Sequence, residues 1–281
     1  MENPGMPTPA GKTSGPSWSL ADFDFKAVDL SLAKDDEMLF YLVTAASFIE
    51  TGTDLYTRNL VTFFSGDTEA TAWLIQRWEP EELQHGLSLK TYVQRIWPDF
   101  DWQAAHADFQ QEYSALCRVD ELEATRALEL VARCMVEMGT STYYSSIRDY
   151  AQEPLIQALA ERIRRDEVGH YKHFYRFFRR YSRQEGIGRL AVLGAIRRRI
   201  WELRQSDGDC ALWHIFHHRR PGETRDGAAY RAIVNRVTGT LRDSYPTNTA
   251  IKMALRPLDL PPLATAVVQP VAKAMQYWLL R

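Results

Sequence analysis

Two copies of a four-residue pattern, Glu82-Leu83-Gln84-His85 and Glu167-Val168-Gly169-His170, decide how this sequence folds. Each copy places a carboxylate three residues before an imidazole, and residues three apart lie on the same face of an α-helix. Two further glutamates precede the copies, Glu50 before the first and Glu137 before the second. The order Glu, Glu-x-x-His, Glu, Glu-x-x-His is the ligand set of a four-helix bundle that holds two metal ions in its core.

The spacing of these residues supports one helix for each ligand segment. The successive intervals between Glu50, Glu82, Glu137 and Glu167 are 32, 55 and 30 residues. These fit helices of about thirty residues with a longer crossover in the middle. A single Glu-x-x-His pair is usually a solvated surface pair, but two copies interleaved with two partner glutamates are hard to obtain by chance. Carboxylates and neutral imidazoles are also the donors that suit a pair of iron or manganese ions.

The hydrophobic pattern predicts an all-α protein, because no segment has a strong strand pattern. The four ligand-bearing helices are expected at about residues 32–64, 68–96, 121–150 and 153–181, with Asp67 capping the second and Pro80 kinking it. Further helical pieces are expected at about 105–117, 189–204, 213–218, 226–242 and 263–280, with an irregular segment at 246–262.

Three regions follow from this pattern. Residues 1–30 form a flexible N-terminal leader with Trp18, Phe23 and Phe25 as possible anchors, because the first twenty residues are rich in Pro, Gly, Ser and Thr. Residues 31–185 form the four-helix bundle with the di-metal core. Residues 186–281 form a C-terminal helical extension packed on the bundle.

Composition excludes several classes of protein. The net charge of −2 gives no overall bias toward nucleic acid or membrane, and no apolar stretch approaches the ~18 residues of a membrane span. Three cysteines far apart in sequence form no disulfide framework, and the leader lacks the apolar region of a signal peptide. We therefore expect a cytoplasmic protein.

The residues around the ligands resemble the soluble acyl-(acyl-carrier-protein) desaturases of the ferritin-like superfamily, between about residues 38 and 181. In the second helix, Trp78-Glu79-Pro80-Glu81-Glu82-Leu83-Gln84-His85-Gly86 resembles the tryptophan-led E-E-x-x-H-G motif of that family. In the fourth, Asp166-Glu167-Val168-Gly169-His170 is similar to its D-E-x-x-H motif. Tyr56 follows Glu50 by six residues and Thr140 follows Glu137 by three, as in the family.

The resemblance implies roles for individual residues. Glu50 and His85 would ligate one iron, Glu137 and His170 the other, and Glu82 and Glu167 would bridge the two. Asp166 would hold a ligand imidazole in its correct tautomer. Thr140 would lie near bound oxygen and relay a proton, although a threonine bonded back to a helix carbonyl is an equal alternative. Trp78 would begin an electron-entry route, although a packing role is an equal alternative.

The function that the resemblance implies is an oxygen-dependent di-iron oxidase or desaturase of fatty acid metabolism. Its substrate would be an acyl chain on acyl carrier protein, or a similar hydrophobic molecule, and a ferredoxin-type partner would supply electrons. An apolar slot for the chain would be lined by Met135, Met138, Tyr143, Tyr144 and Phe174. We expect a homodimer that does not bind nucleic acid. The alternatives are hydroxylation or N-oxygenation of a natural-product precursor, a ferritin-like protein that oxidises and stores iron, and a manganese–iron pair.

Two further patterns lie near the C-terminal extension. Residues 162–204 contain thirteen Lys or Arg against four Asp or Glu, a bias that would attract an acidic carrier protein. The histidines His214, His217 and His218 are close enough in sequence for a separate metal site. Since their neighbours include no acidic companion, we do not assign a metal to them.

Overall fold

The computed structural model describes residues 16–118, 122–203 and 207–261, together with Pro270; these residues form helices and no strand. The predicted all-α class is thus confirmed. The predicted helix at 263–280 lies outside the described residues, as do residues 1–15 of the leader. In chain order the α-helices are α1 (Glu37–Thr51), α2 (Thr53–Phe63), α3 (Thr68–Trp73), α4 (Glu79–Ile96), α5 (Trp102–Ser114), α6 (Arg126–Tyr150), α7 (Pro154–Glu185), α8 (Arg189–Leu203), α9 (Asp207–Arg219), α10 (Ala228–Asp243) and α11 (Thr247–Leu255).

The prediction of one continuous helix over residues 32–64 is wrong, because the structure has two helices there. The helix begins only at Glu37, where the Asp36 side chain accepts a hydrogen bond from the Leu39 N–H, and it ends at Thr51. At Gly52 the backbone turns, because its N–H bonds to the Ile49 carbonyl three residues back instead of four. The chain then restarts as α2. Glu50 therefore lies in the last turn of α1.

The second ligand-bearing helix follows the predicted range but contains a widened turn. A π-helical segment, Leu74–Trp78, joins α3 to α4, and the Glu79 N–H bonds to the Leu74 carbonyl five residues back. Pro80, which has no N–H to donate, lies in the first turn of α4 directly after this segment. Asp67 caps α3 as predicted, through a hydrogen bond from the Ala70 N–H.

The remaining helices agree with the sequence pattern except for α9, which begins at Asp207, six residues before the piece predicted at 213–218, and for the segment near the C-terminus. Helices α6 and α7 form a helical hairpin whose second helix is capped by Glu153 and opened by Pro154. The segment 246–262 was predicted to be irregular, but it contains α11. Its prolines do not prevent this, because Pro246 precedes the helix and Pro257 follows it.

Part of the leader packs against the body of the protein. Trp18 and Val28 are buried, and Phe23 and Phe25 pack against the same apolar cluster. The anchoring role of the aromatic residues, expected from the sequence, is therefore present in residues 16–30.

Two separate apolar clusters form the core. One is built from α1, α4, α5, α9, the end of α6 and the start of α7. The other is built from α2, α3, the π-helical segment, α8, α11, the first half of α6 and the second half of α7. Between the two clusters the buried side chains of α7 are Glu167 and His170, and those of α6 are Ser141 and Thr142, with Glu137 one turn before them.

The helices after residue 186 pack against the helices that carry the ligand motifs. Helices α8 and α11 contact α6, and α9 contacts α1 and α5. Among the described residues, no helix combines the length and apolar character needed to cross a membrane.

Candidate metal centre

Six acidic and imidazole side chains from four helices meet at the boundary between the two apolar clusters. They are Glu50 from α1, Glu82 and His85 from α4, Glu137 from α6, and Glu167 and His170 from α7. We call them the six-residue cluster. Each is at most 5% exposed. They form two groups, Glu50–Glu82–His85–Glu167 and Glu82–Glu137–Glu167–His170, and within each group the candidate ligand atoms lie within 4.8 Å of one another.

The two groups have two residues in common. Glu82 and Glu167 belong to both groups, whereas each of the other four residues belongs to one. The His85 and His170 rings are 6.0 Å apart between centroids. The arrangement therefore offers two adjacent cation positions with two carboxylates common to both.

Both histidines point the same ring nitrogen into the cluster. His85 Nδ1 lies 3.1 Å from Glu167 Oε1, and His170 Nδ1 lies 2.9 Å from Glu82 Oε1. Neither Nδ1 makes a hydrogen bond of acceptable geometry, although both atoms are buried. When Nε2 carries the proton, Nδ1 presents a lone pair to the centre of the cluster.

The outer nitrogens of both histidines are held by carboxylates. Asp166 Oδ2 lies 3.1 Å from His85 Nε2, as expected for the residue predicted to orient an imidazole. Glu81 Oε2 lies 2.9 Å from His170 Nε2, and this partner was missed in the sequence. The signal was present, because an acidic residue precedes the glutamate in both motifs, and each of these acids holds the histidine of the other motif.

Trp18 and Arg77 contact the carboxylates that hold the two histidines, and Trp78 contacts a glutamate of the cluster. The Trp18 indole N–H donates to Asp166 Oδ2 at 2.5 Å, and Arg77 contacts Glu81 Oε1 at 2.6 Å. The Trp78 indole N–H donates to Glu137 Oε1 at 3.2 Å. The hydrogen-bonded route that reaches His85 thus starts at Trp18, in the leader, rather than at Trp78.

Thr140 contacts the cluster directly. Its hydroxyl lies 2.7 Å from Glu167 Oε2, and it also lies 3.2 Å from the Glu137 carbonyl within its own helix. Both alternatives left open by the sequence therefore have a geometric basis. A single hydroxyl proton can serve only one of these acceptors at a time.

Tyr144 is a further contact that sequence reasoning missed. Its hydroxyl donates to Glu50 Oε1 at 2.5 Å, and the side chain is buried. Tyr144 follows Glu137 by seven residues, which is two helical turns, so the helical period already placed it on the same face.

Burial and mutual repulsion make two of the four carboxylates, Glu50 and Glu137, costly to ionise, whereas the neighbouring histidines hold the pKa values of Glu82 and Glu167 below their usual range although burial opposes this. Burial, and then the charges of Glu82 and Glu167, raise the pKa of Glu50 well above its usual range. Burial likewise raises the pKa of Glu137. The pKa of His85 is raised although burial opposes this, because the Asp166 carboxylate beside Nε2 and the Glu167 carboxylate beside Nδ1 favour the charged ring. Cations in this cluster would relieve the repulsion among its carboxylates.

A glycine allows the first ligand helix to approach the second. A Cβ atom on Gly86 would lie 2.6 Å from the backbone N of Thr51 and 3.0 Å from the carbonyl carbon of Glu50. Only a residue without a side chain fits this contact. Gly86 therefore fixes the separation between the end of α1, with Glu50, and the start of α4, with His85.

The residues expected to line one acyl slot are divided between the two apolar clusters. Met135, Met138 and Phe174 belong to the cluster around α6, α7 and α8. Tyr144 belongs to the other cluster, and Tyr143 packs against it. The structure does not bring the five together as one wall.

Comparison with known proteins gives no indication of the function. No family model, no curated protein and no solved structure matches this chain. We therefore infer the function from the geometry of the six-residue cluster and from the local sequence motifs.

Proposed function

We propose that the protein is an oxygen-dependent di-iron oxidase whose helices α1, α4, α6 and α7 form a ferritin-like four-helix bundle. The observation that carries the proposal is the pair of buried groups that share Glu82 and Glu167. We propose Glu50 and His85 as terminal ligands of one iron, Glu137 and His170 as those of the other, and the shared glutamates as bridges. The substrate class that we propose is an acyl chain or a similarly hydrophobic molecule.

The donor set fits such a metal pair. Both Nδ1 atoms are buried and lack hydrogen bonds, while both Nε2 atoms have carboxylate partners, which is the usual arrangement of metal-binding histidines. Oxygen and imidazole donors without sulfur suit iron or manganese rather than a thiolate-bound metal. When bound, a pair of iron ions supplies dioxygen activation and an oxidant able to remove hydrogen from an unactivated carbon.

The surrounding residues orient the ligands and exclude water. Asp166 and Glu81 fix the tautomers of the two imidazoles through Nε2, so that both Nδ1 atoms face inward. Trp18 and Trp78 are both buried: the Trp18 indole donates to Asp166, which holds His85, and the Trp78 indole donates to Glu137 of the cluster. Electrons from a ferredoxin-type donor would reach His85 along Trp18 and Asp166.

Thr140 is the residue that we propose to hold and deliver a proton. Its hydroxyl can donate to Glu167 Oε2 or return to the helix carbonyl of Glu137 without any change of backbone. This two-position hydroxyl provides a proton beside a cluster that is otherwise closed to solvent. We assign Thr140 the relay on this geometry.

An acidic carrier protein that docks on the basic run would compete with ion pairs that its arginines already make within the chain. Arginines in the basic run from 162 to 204 pair with acidic residues outside it: Arg176 and Arg180 with Glu69, Arg179 with Asp259, and Arg198 with Glu123. The positive bias of the sequence is therefore partly neutralised in three dimensions. Acyl carrier protein remains our proposed carrier, and salt-sensitive binding would support it.

The test is to load the protein with ferrous iron, reduce it, and measure dioxygen uptake with and without acyl-carrier-protein thioesters. We expect thioester-dependent uptake and an unsaturated product. Glu82→Ala should abolish both, because it removes a ligand shared by the two groups. Glu79→Ala, on the same helix but outside the cluster, is the matched control and should retain both.

The same experiment separates the alternatives. If the rate of dioxygen uptake is the same with and without every thioester, and the protein elutes as a dimer from a sizing column, hydroxylation or N-oxygenation of another substrate is favoured. A large hollow assembly that accumulates ferric iron would favour storage. A wild-type protein that retains no metal would contradict the proposed function altogether.

A further inference from the structure

A second group of metal-binding side chains lies between α5 and α9, remote in sequence from every member of the six-residue cluster. Cys210 and His214 are four residues apart on α9 and therefore share one face of that helix. Glu112, near the end of α5, faces them. The candidate ligand atoms of Glu112, Cys210 and His214 all lie within 4.8 Å of one another. We call these three residues the α5–α9 cluster.

The hydrogen bonds orient Glu112 toward its two partners. Its Oε2 lies 2.8 Å from His214 Nε2. Its other oxygen, Oε1, accepts a hydrogen bond from Arg225 at 2.8 Å, and Arg225 is in turn paired with Asp209 at 2.6 Å. Arg225 therefore fixes the carboxylate from the outside and leaves Oε2 directed at the imidazole, with the buried Cys210 beside it.

We propose that Glu112, Cys210 and His214 bind one zinc ion, which ties α5 to α9. Thiolate, imidazole and carboxylate are zinc ligands, and three protein ligands leave a fourth tetrahedral position for water. The ion replaces the hydrogen bond between His214 Nε2 and Glu112 Oε2: the neutral imidazole binds through Nε2 with its proton on Nδ1, and the Cys210 thiol releases its proton to solvent.

The charges around this site accommodate a divalent ion. With zinc bound, the positive charges are those of the ion and of the Arg225 guanidinium. The carboxylates of Glu112 and Asp209 and the Cys210 thiolate carry three negative charges, so the local charge is zero. Entry from solvent is open, because the Glu112 side chain is 38% exposed and that of His214 is 12% exposed. The proposal is independent of the di-iron function, since it uses none of the six-residue cluster.

Sulfur ligation provides a test that separates this site from the di-metal centre. Full-length protein, already loaded with iron, is titrated with Co²⁺, and the thiolate-to-cobalt charge-transfer absorption is recorded in the near ultraviolet. We expect one equivalent of Co²⁺ per chain to produce the band and Zn²⁺ to remove it. The six-residue cluster contains no sulfur, so cobalt bound there does not produce this band.

Matched variants assign the band to residues. Cys210→Ser and His214→Gln should each abolish it. Cys117→Ser and His217→Gln, which make the same chemical changes nearby, should leave it intact. Zinc should also raise the melting temperature of the wild type but not that of His214→Gln, a variant that remains informative if Cys210→Ser folds poorly. Absence of the band in the wild type, or its persistence in Cys210→Ser, overturns the proposal.

Discussion

Replacing Gly86 with alanine should lower stability and disturb the proposed metal centre. The new Cβ would lie 2.6 Å from the Thr51 nitrogen and from Thr51 Cγ2. Non-bonded atoms prefer about 3.5 Å or more, so the end of α1 must move by roughly 1 Å. Because one of the contacts is with backbone, a change of side-chain rotamer cannot relieve it.

The expected cost follows from two opposing terms. Overpacking costs about 1–3 kcal/mol, and a backbone clash belongs at the upper end of that range. Alanine recovers about 1 kcal/mol through its helix propensity. The net loss is about 2 kcal/mol, which in a chain of 281 residues lowers the melting temperature by roughly 3–4 °C. The same displacement moves Glu50 relative to His85, so iron binding should weaken.

A second glycine provides the matched control. Gly169 directly precedes His170, as Gly86 directly follows His85, but a Cβ on Gly169 would meet no heavy atom within 4 Å. Gly169→Ala should therefore raise stability by up to about 1 kcal/mol and leave iron content unchanged. The assay is thermal unfolding of the metal-free protein, together with iron analysis after loading. If Gly86→Ala were as stable as Gly169→Ala, the close approach of α1 and α4 would be refuted.

Three further outcomes are expected. Burial lowers the pKa of His106 to about 4, so the stability that its neutral ring contributes is complete above about pH 6.5 and is lost as the pH falls toward 4. The loss is roughly 3 kcal/mol, and His106→Gln should flatten that part of a pH–stability curve obtained by denaturant unfolding. Glu50→Gln should stabilise the metal-free protein, because it removes one of several repelling buried carboxylates. The same variant should show a smaller rise in melting temperature when iron is added. A variant that keeps the full rise would exclude Glu50 as a ligand. Thr140→Val should lower product formed per dioxygen consumed by about tenfold or more, whereas Thr142→Val should not, and equal yields in the two variants would remove the relay role from Thr140.

The sequence was informative wherever the chemistry is local. Helical period and capping residues predicted the helices that carry the ligand motifs, and Asp67 caps α3 as expected. The spacing of the motifs also predicted that six side chains separated along the chain would meet, which the geometry of Glu82 and Glu167 supports. Local patterns failed at Gly52, where a helix that looks continuous in sequence turns after Glu50.

Contacts between distant segments could not be read from the same patterns. The partner of His170 Nε2 is Glu81, and the tryptophan bonded to Asp166 comes from the leader, 148 residues away. The α5–α9 cluster has the same origin, because the acidic companion that His214 lacks in sequence is Glu112, 102 residues earlier.

The sequence by itself determined the helical class and which six side chains would cluster, because both depend on the period of an α-helix and on the chemistry of side chains a few residues apart. The tertiary structure decided which nitrogen of each histidine faces inward, how closely α1 approaches α4 at Gly86, and how far the arginines of the basic run are neutralised. These depend on how the helices pack against one another, and packing is set by the whole core rather than by any one stretch of the chain.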